Sequence, residues 1–167
     1  MIDLEVKNPA DEELELFVSI LREGAEWIRA RGQEMWSERQ VSLTALLASC
    51  RREELYLGSV GKEPAAVMIL QEQDQLAWAD ADGCPSLYLH KLCVRRPYAG
   101  TGLSVEMIRW AIREAVRRDK AFLRLDCAAD RPQLCRFYEY AGFRKAGERL
   151  LFGRYPTALY EYALQGG

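Results

Sequence analysis

The stretch from Tyr88 to Lys120 holds the residues best placed to do chemistry. Tyr88-Leu-His-Lys-Leu-Cys-Val94 is a mostly apolar run, and Arg95-Arg-Pro-Tyr-Ala-Gly-Thr-Gly-Leu-Ser104 is a glycine-bearing loop without an acidic side chain. Val105 to Lys120 then carries apolar residues at helical spacing. The order reads as strand, loop and amphipathic helix. Such a loop at a helix N-terminus leaves backbone N–H groups unpaired and directed outward. With the positive end of the helix dipole, those donors make a seat for an anion, above all a phosphate. Two other readings stand beside this one. Gly100 and Gly102 could form only a tight turn. Alternatively, Gly100-x-Gly102-x-x-Val105 with the later Asp126 could be a dinucleotide fingerprint, although its last position is Val and the unit falls mid-chain.

The remaining elements must position that stretch. Ile2 to Val6 alternates weakly, as a short first strand does. Asn8-Pro9 predicts a helix start, with Asn as N-cap and Pro at the first helical position. Leu14, Phe17, Val18, Leu21, Ala25 and Ile28 form an apolar stripe that Gly32 can close. A second, shorter helix is expected over 42–50. Strands follow at 55–60 and 65–71, joined by a hairpin turn over 61–64. The polar stretch 72–86 reads as a loop. On the helix after the glycine loop, Leu103, Met107, Trp110, Ala111, Glu114 and Ala115 fall near one face. Phe122 to Cys127 is a further strand, Asp130 to Tyr140 a helix ended by Gly142, and 143–152 and 158–164 a closing pair of strands. The class is α/β, mixed α+β: a sheet with helices on its faces, in one domain over 1–167.

The 167 residues carry a formal net charge of -2, which argues against a nucleic-acid partner because that needs a basic face. No apolar run reaches the roughly 20 residues a membrane span requires, so no membrane partner is expected. The opening Met1-Ile-Asp-Leu-Glu-Val-Lys7 lacks the regions of a signal peptide. The cysteines at positions 50, 84, 93, 127 and 135 form no Cys-x-x-Cys pair, and the chain has 1 histidine, so no metal site is expected. An odd number of cysteines without a secretion signal fits reduced thiols in a cytoplasmic protein. A homodimer through a helix or the final strand is compatible with the sequence.

Ala99-Gly-Thr-Gly-Leu-Ser104 is similar to motif A of the GNAT acetyltransferase superfamily, Gln/Arg-x-x-Gly-x-Gly/Ala. Leu125 to Phe143, ending in Tyr138-Glu-Tyr-Ala-Gly-Phe143, resembles its motif B. Both stand in the family's order, and the element order fits along nearly the whole chain. Ala99 departs from the usual Gln or Arg, Ser104 from Gly or Ala, and Arg131 from a frequent Asn. The resemblance implies a mostly antiparallel sheet of about seven strands, splayed between the fourth and fifth, with about four helices. It also implies acetyl-CoA as cosubstrate. The diphosphate would then sit on the loop Ala99, Gly100, Thr101, Gly102, Leu103 and Ser104, with Arg131 nearby. The amide-rich pantetheine arm would pair with the strand edge of Leu92, Cys93 and Val94.

Transfer of acetyl to a primary amine, expected to be that of a small molecule since no extra domain or basic groove suggests a larger acceptor, needs an acid for the departing thiolate and a base for the ammonium. The motif makes Tyr138 the acid, its alternative being a core residue with a satisfied hydroxyl. His90, on the strand face shared with Tyr88 and Leu92, is the candidate base, with Glu72, Asp74, Asp80 and Asp82 as rivals. A backbone N–H near 92–94 would meet the oxyanion. Cys127 and Cys135 lack a histidine beside them, which favours direct transfer over an acyl-enzyme. Trp27, Trp36, Trp78 and Tyr88 could line the acceptor pocket, aromatic faces attracting a cationic amine, or they could be packing residues. A non-catalytic acyl-CoA sensor and an N-terminal peptide acetyltransferase are the alternative functions.

Overall fold

A computed structural model describes residues 2–33, 36, 37, 39–79 and 83–164. Seven strands form one sheet: β1 (Leu4–Lys7), β2 (Leu55–Val60), β3 (Glu63–Gln71), β4 (Ser86–Val94), β5 (Phe122–Ala128), β6 (Arg144–Leu151) and β7 (Tyr155–Ala163). The helices are α1 (Leu14–Arg29), α2 (Leu43–Ser49), α3 (Leu103–Arg117) and α4 (Pro132–Tyr140). The strand order is β1-β2-β3-β4-β5-β7-β6. The pairing of β4 with β5 is parallel and runs only from Ser86↔Phe122 to Tyr88↔Arg124, although both strands continue beyond it. The expected mixed sheet with a short fourth-to-fifth junction is therefore present. Among the described residues, no helix is long and apolar enough to cross a membrane.

The chain divides into two compact units, 1–69 with 91–107, and 70–90 with 108–167. In the first, Phe17, Val18, Ile20 and Leu21 of α1 pack with Val41, Leu46, Leu55, Leu57, Val67, Ile69 and Cys93. Gly24 makes this contact close, since a Cβ there would stand 2.4 Å from the Cys93 sulfur. The Cys93 thiol donates to the Ile20 carbonyl at 3.5 Å. In the second unit, β5 and β7 pair along their length, and Arg124 meets Glu161 across them at 3.1 Å. Tyr138 and Tyr160 add an aromatic group with Phe143.

Local signals set most boundaries. Ser42 caps α2 by accepting the Ala45 N–H at 3.1 Å. Gly32, at φ +76°, closes α1: its N–H reaches the Arg29 carbonyl and that of Gln33 reaches Ile28. Two expectations, the Asn8 cap and the length of the hairpin turn, need correction. Asn8 does not cap the first helix; its side-chain amide donates to the carbonyls of Glu53 at 3.1 Å and Leu55 at 2.7 Å. The first turn instead spans Asp11–Glu13, with the Glu13 carboxylate accepting the Ala10 N–H at 2.9 Å. The third helix begins at Leu103, the first residue of its expected apolar face, because the glycine loop feeds straight into it. The hairpin turn is confined to Gly61 and Lys62, both at positive φ, so β3 starts at Glu63.

Candidate active site

The glycine loop lies in the first unit. After β4 comes a single turn over Arg96–Tyr98, with Pro97 as its second residue, and then an exposed run from Ala99 to Gly102. Gly100 and Gly102 sit at φ +76° and +88°, a region that side-chain-bearing residues seldom adopt. A Cβ on either would meet nothing within 4 Å. The N–H of Thr101 returns to the Tyr98 carbonyl at 3.3 Å, and that of Glu106 takes the Gly102 carbonyl as the first bond into α3. The N–H groups of Gly100, Gly102, Leu103 and Ser104 have no backbone acceptor among the described residues. Leu103 is buried and anchors the helix end, while Ser104 is half-buried. An open cradle of amides at the head of a 15-residue helix fits a diphosphate.

Upstream, Leu92 and Val94 are half-buried and Cys93 is turned into the core. Burial, and then the Glu23 charge, push the Cys93 thiol up to about 11, so it is no nucleophile at neutral pH. Lys91 has φ +50° within β4. Trp36 has the Lys91 ammonium 5.7 Å from its ring centre and packs on the core. Trp27 is taken up by two guanidinium groups, Arg31 at 3.6 Å and Arg96 at 3.7 Å from its ring centre.

In the second unit, three separate segments converge. Asp74 follows β3, His90 lies in β4 and Asp126 in β5, and their ligand-type atoms all fall within 4.8 Å of one another. His90 Nε2 is 3.8 Å from Asp74 Oδ2. The Asp74 carboxylate is held by the N–H groups of Leu76 at 3.0 Å and Ala77 at 2.9 Å. Of the rival bases, Asp74 is therefore beside His90, whereas Glu72 pairs with Lys120 at 2.8 Å. Asp80 and Asp82 lie outside the described residues. Sequence reasoning weighed Asp126 only as part of a dinucleotide motif; its alternate position on β5 with Phe122 and Arg124 was the available signal.

Tyr138 is half-buried on α4, among the rings of Phe137, Phe143 and Tyr160. Its hydroxyl has no hydrogen-bond partner among the described residues, unlike that of Tyr160, which donates to Glu139 at 2.6 Å. Burial first, then the charges of Cys127 and Asp126, raise the Tyr138 phenol well above its ordinary value. It therefore stays protonated, as a proton donor must. Cys127 and Cys135 stand 3.9 Å apart as free thiols. Burial, and then its neighbour Cys135, push Cys127 up to about 12. Arg131 precedes α4, and its carbonyl accepts the N–H groups of Leu134 and Cys135.

Tyr88 and Trp78 are both buried, with ring centres 6.2 Å apart. The indole N–H of Trp78 is satisfied by the Leu125 carbonyl at 3.3 Å. The Arg124 guanidinium covers its ring at 4.5 Å, so Trp78 serves packing first.

Comparison with known proteins agrees with this geometry. The model of the acetyltransferase (GNAT) family matches residues 21–143. The uncharacterized N-acetyltransferase YesJ of Bacillus subtilis is 32% identical over 142 residues, covering 81% of this chain and 79% of that protein. Among solved structures, a GNAT-family acetyltransferase from Listeria monocytogenes superposes with a TM-score of 0.82 at 24% identity, over 98% of both chains. The PaiA N-acetyltransferase of Thermoplasma acidophilum, solved with coenzyme A, gives 0.71 at 16% identity over 97% of this chain and 99% of that one. The fold is theirs, and the family match spans both the glycine loop and the helix that carries Tyr138. The chain belongs to the GNAT acetyltransferase family.

Proposed function

We propose that the chain is one catalytic domain over residues 1–167 that moves an acetyl group from acetyl-CoA directly to a primary amine of a small molecule in the cytoplasm. One observation carries the reading: the exposed cradle of Gly100, Gly102, Leu103 and Ser104, whose amides lack backbone acceptors at the head of α3. Ala99 and Thr101 complete the loop, and the family resemblance assigns Arg131 to the cofactor as well. Leu92, Cys93 and Val94 offer backbone groups to the pantetheine amides and an N–H to the oxyanion. Acetyl-CoA supplies an activated thioester when bound.

The side chains divide the proton work. His90 accepts the proton that an ammonium must lose before its nitrogen can attack. Tyr138 donates to the thiolate as the carbon–sulfur bond breaks, and regains a proton from the acylated nitrogen. The high position of the Cys127 thiol supports direct transfer over an acyl-enzyme. Tyr88, with Trp78 packed beside it, and separately Trp36 are the residues assigned to the acceptor. A small-molecule acceptor is supported by the chain's formal net charge of -2.

Calorimetric titration with coenzyme A, followed by thiol release from acetyl-CoA over a panel of small amines and peptides, tests the reading. Binding with turnover on small amines is expected. Binding without turnover on any amine or peptide would make the chain a sensor, and turnover on peptides alone would make it a peptide acetyltransferase.

A further inference from the structure

We propose that Cys127 and Cys135 are an oxidisable pair: exchange with a low-molecular-weight disulfide joins them, draws α4 toward β5 and so displaces Tyr138. The joining itself is independent of the acetyltransferase reading; only the loss of rate rests on it.

The two sulfurs stand 3.9 Å apart, in van der Waals contact, and both are free thiols. Cys127 is buried near the end of β5, and Cys135 is half-buried as the fourth residue of α4. The Cys135 sulfur also lies 3.7 Å from the carbonyl oxygen of Ala128, the residue after Cys127. The helix side chain is therefore already turned onto the strand. As the more exposed of the two, it is the sulfur that a dissolved oxidant meets first.

A disulfide brings its sulfurs to about 2.05 Å, so the pair must close by roughly 1.9 Å from its present 3.9 Å. On the strand side, Cys127 and Ala128 are held by their pairing with Ala158 and Thr157 of β7. On the helix side, α4 has 9 residues and none of them is fully buried. The helix accordingly supplies most of the movement. Tyr138 follows Cys135 by three positions, which puts it on the same face of α4 one turn further on. Its ring is placed by contacts with Phe137, Phe143 and Tyr160, all of which a shift of the helix disturbs. A misplacement of about 1 Å costs on the order of 100-fold in rate.

Atoms and electrons balance. The Cys135 thiol gives its proton to water, and the thiolate attacks the small disulfide, forming a mixed disulfide and releasing one small thiolate. Cys127 then loses its proton and attacks the Cys135 sulfur, which expels the second small thiolate. Both thiolates take up the protons, so the chain loses two hydrogens and the small disulfide gains them.

Trypsin cuts after Arg124 and Arg136 but not between Arg131 and Pro132, so both cysteines fall in one peptide, Leu125 to Arg136. The test treats the whole chain with glutathione disulfide, alkylates the remaining thiols and weighs that peptide. It should be two hydrogens lighter, unalkylated, and restored by dithiothreitol. In the tyrosine-labelled chain, the Tyr138 ring signal, identified by its absence from Tyr138→Phe, should shift on oxidation and return on reduction. Coenzyme A formation by the desalted, oxidised chain should fall about tenfold or more, whereas treated Cys135→Ser should keep the rate of the reduced chain. A peptide that stays reduced, or that stops with glutathione attached to Cys135, would overturn the pairing. An unmoved Tyr138 signal, an undiminished rate in the oxidised chain, or an equal loss in treated Cys135→Ser would overturn the displacement. A reduced chain that turns over no amine or peptide would sink the acetyltransferase reading, while the peptide mass and the ring signal still decide the proposal.

Discussion

Replacing Tyr138 by Phe removes one oxygen and leaves the packing in place. The ring keeps its neighbours, with centres at 5.2 Å to Phe137, 5.8 Å to Phe143 and 6.4 Å to Tyr160. No hydrogen bond is lost among the described residues, so stability should change by less than about 0.5 kcal/mol or rise slightly. The effect on rate should be large. A positioned acid contributes roughly 100- to 10,000-fold, and a thiolate, whose conjugate thiol has a pKa of about 8.5, leaves readily enough to place this case at the low end. A fall of about 100-fold in single-turnover rate, close to 3 kcal/mol of barrier, is expected. Tyr160→Phe is the control: it forfeits the bond to Glu139, should cost about 1 kcal/mol of stability, and should leave the rate nearly intact. Quenched-flow thiol release, denaturant unfolding and calorimetry with coenzyme A measure the three quantities. An undiminished rate in Tyr138→Phe would refute the assignment, and a rate loss confined to Tyr160→Phe would move the acid to that residue. Because the Tyr138 phenol is raised, it should cause no alkaline decline in rate below about pH 10.

Other expectations follow from single contacts. Gly102→Val puts a branched side chain at φ +88° on the cradle, and coenzyme A binding measured by calorimetry should be abolished; retained affinity would displace the assigned loop. Gly24→Ala drives a methyl to 2.4 Å from the Cys93 sulfur and should cost about 1–3 kcal/mol in denaturant unfolding, much of it recovered in the Gly24→Ala/Cys93→Ala double variant; additive losses would argue against the contact. The Cys93 thiol, at about 11 in the folded chain against an ordinary 9.0, keeps its proton where the unfolded chain loses it. Its contribution to stability is thus whole below about pH 9 and declines as pH rises toward the folded value. The denaturant midpoint should fall from pH 8.5 to about 10.5, less steeply in Cys93→Ser; parallel curves would contradict this.

How far the sequence could be read depended on whether the deciding interaction was local. Gly32, Ser42, Gly100 and Gly102 act within a few residues of themselves, and each does what its type suggests. Asn8 carried an equally good local signal, yet its amide serves the carbonyls of Glu53 and Leu55, far along the chain. A tertiary contact overrode the cap. Lys91 adopts a positive φ within β4 that nothing in a lysine announces. The meeting of Asp74, His90 and Asp126 depends on the parallel pairing of β4 with β5 and on the turn after β3. Single segments contain each residue but not their proximity. Aromatic content was also ambiguous: Trp27 and Trp78 have ring faces covered by arginines, which no spacing rule foretells.

The central claim is that free amides at the head of α3 hold the diphosphate of acetyl-CoA. An amide-resolved NMR titration of the uniformly nitrogen-labelled chain with coenzyme A addresses it without any mutation. The Gly100, Gly102, Leu103 and Ser104 amides should shift most, and 3′-phospho-ADP alone should reproduce their displacement. Saturable binding that leaves those four amides unmoved would contradict it.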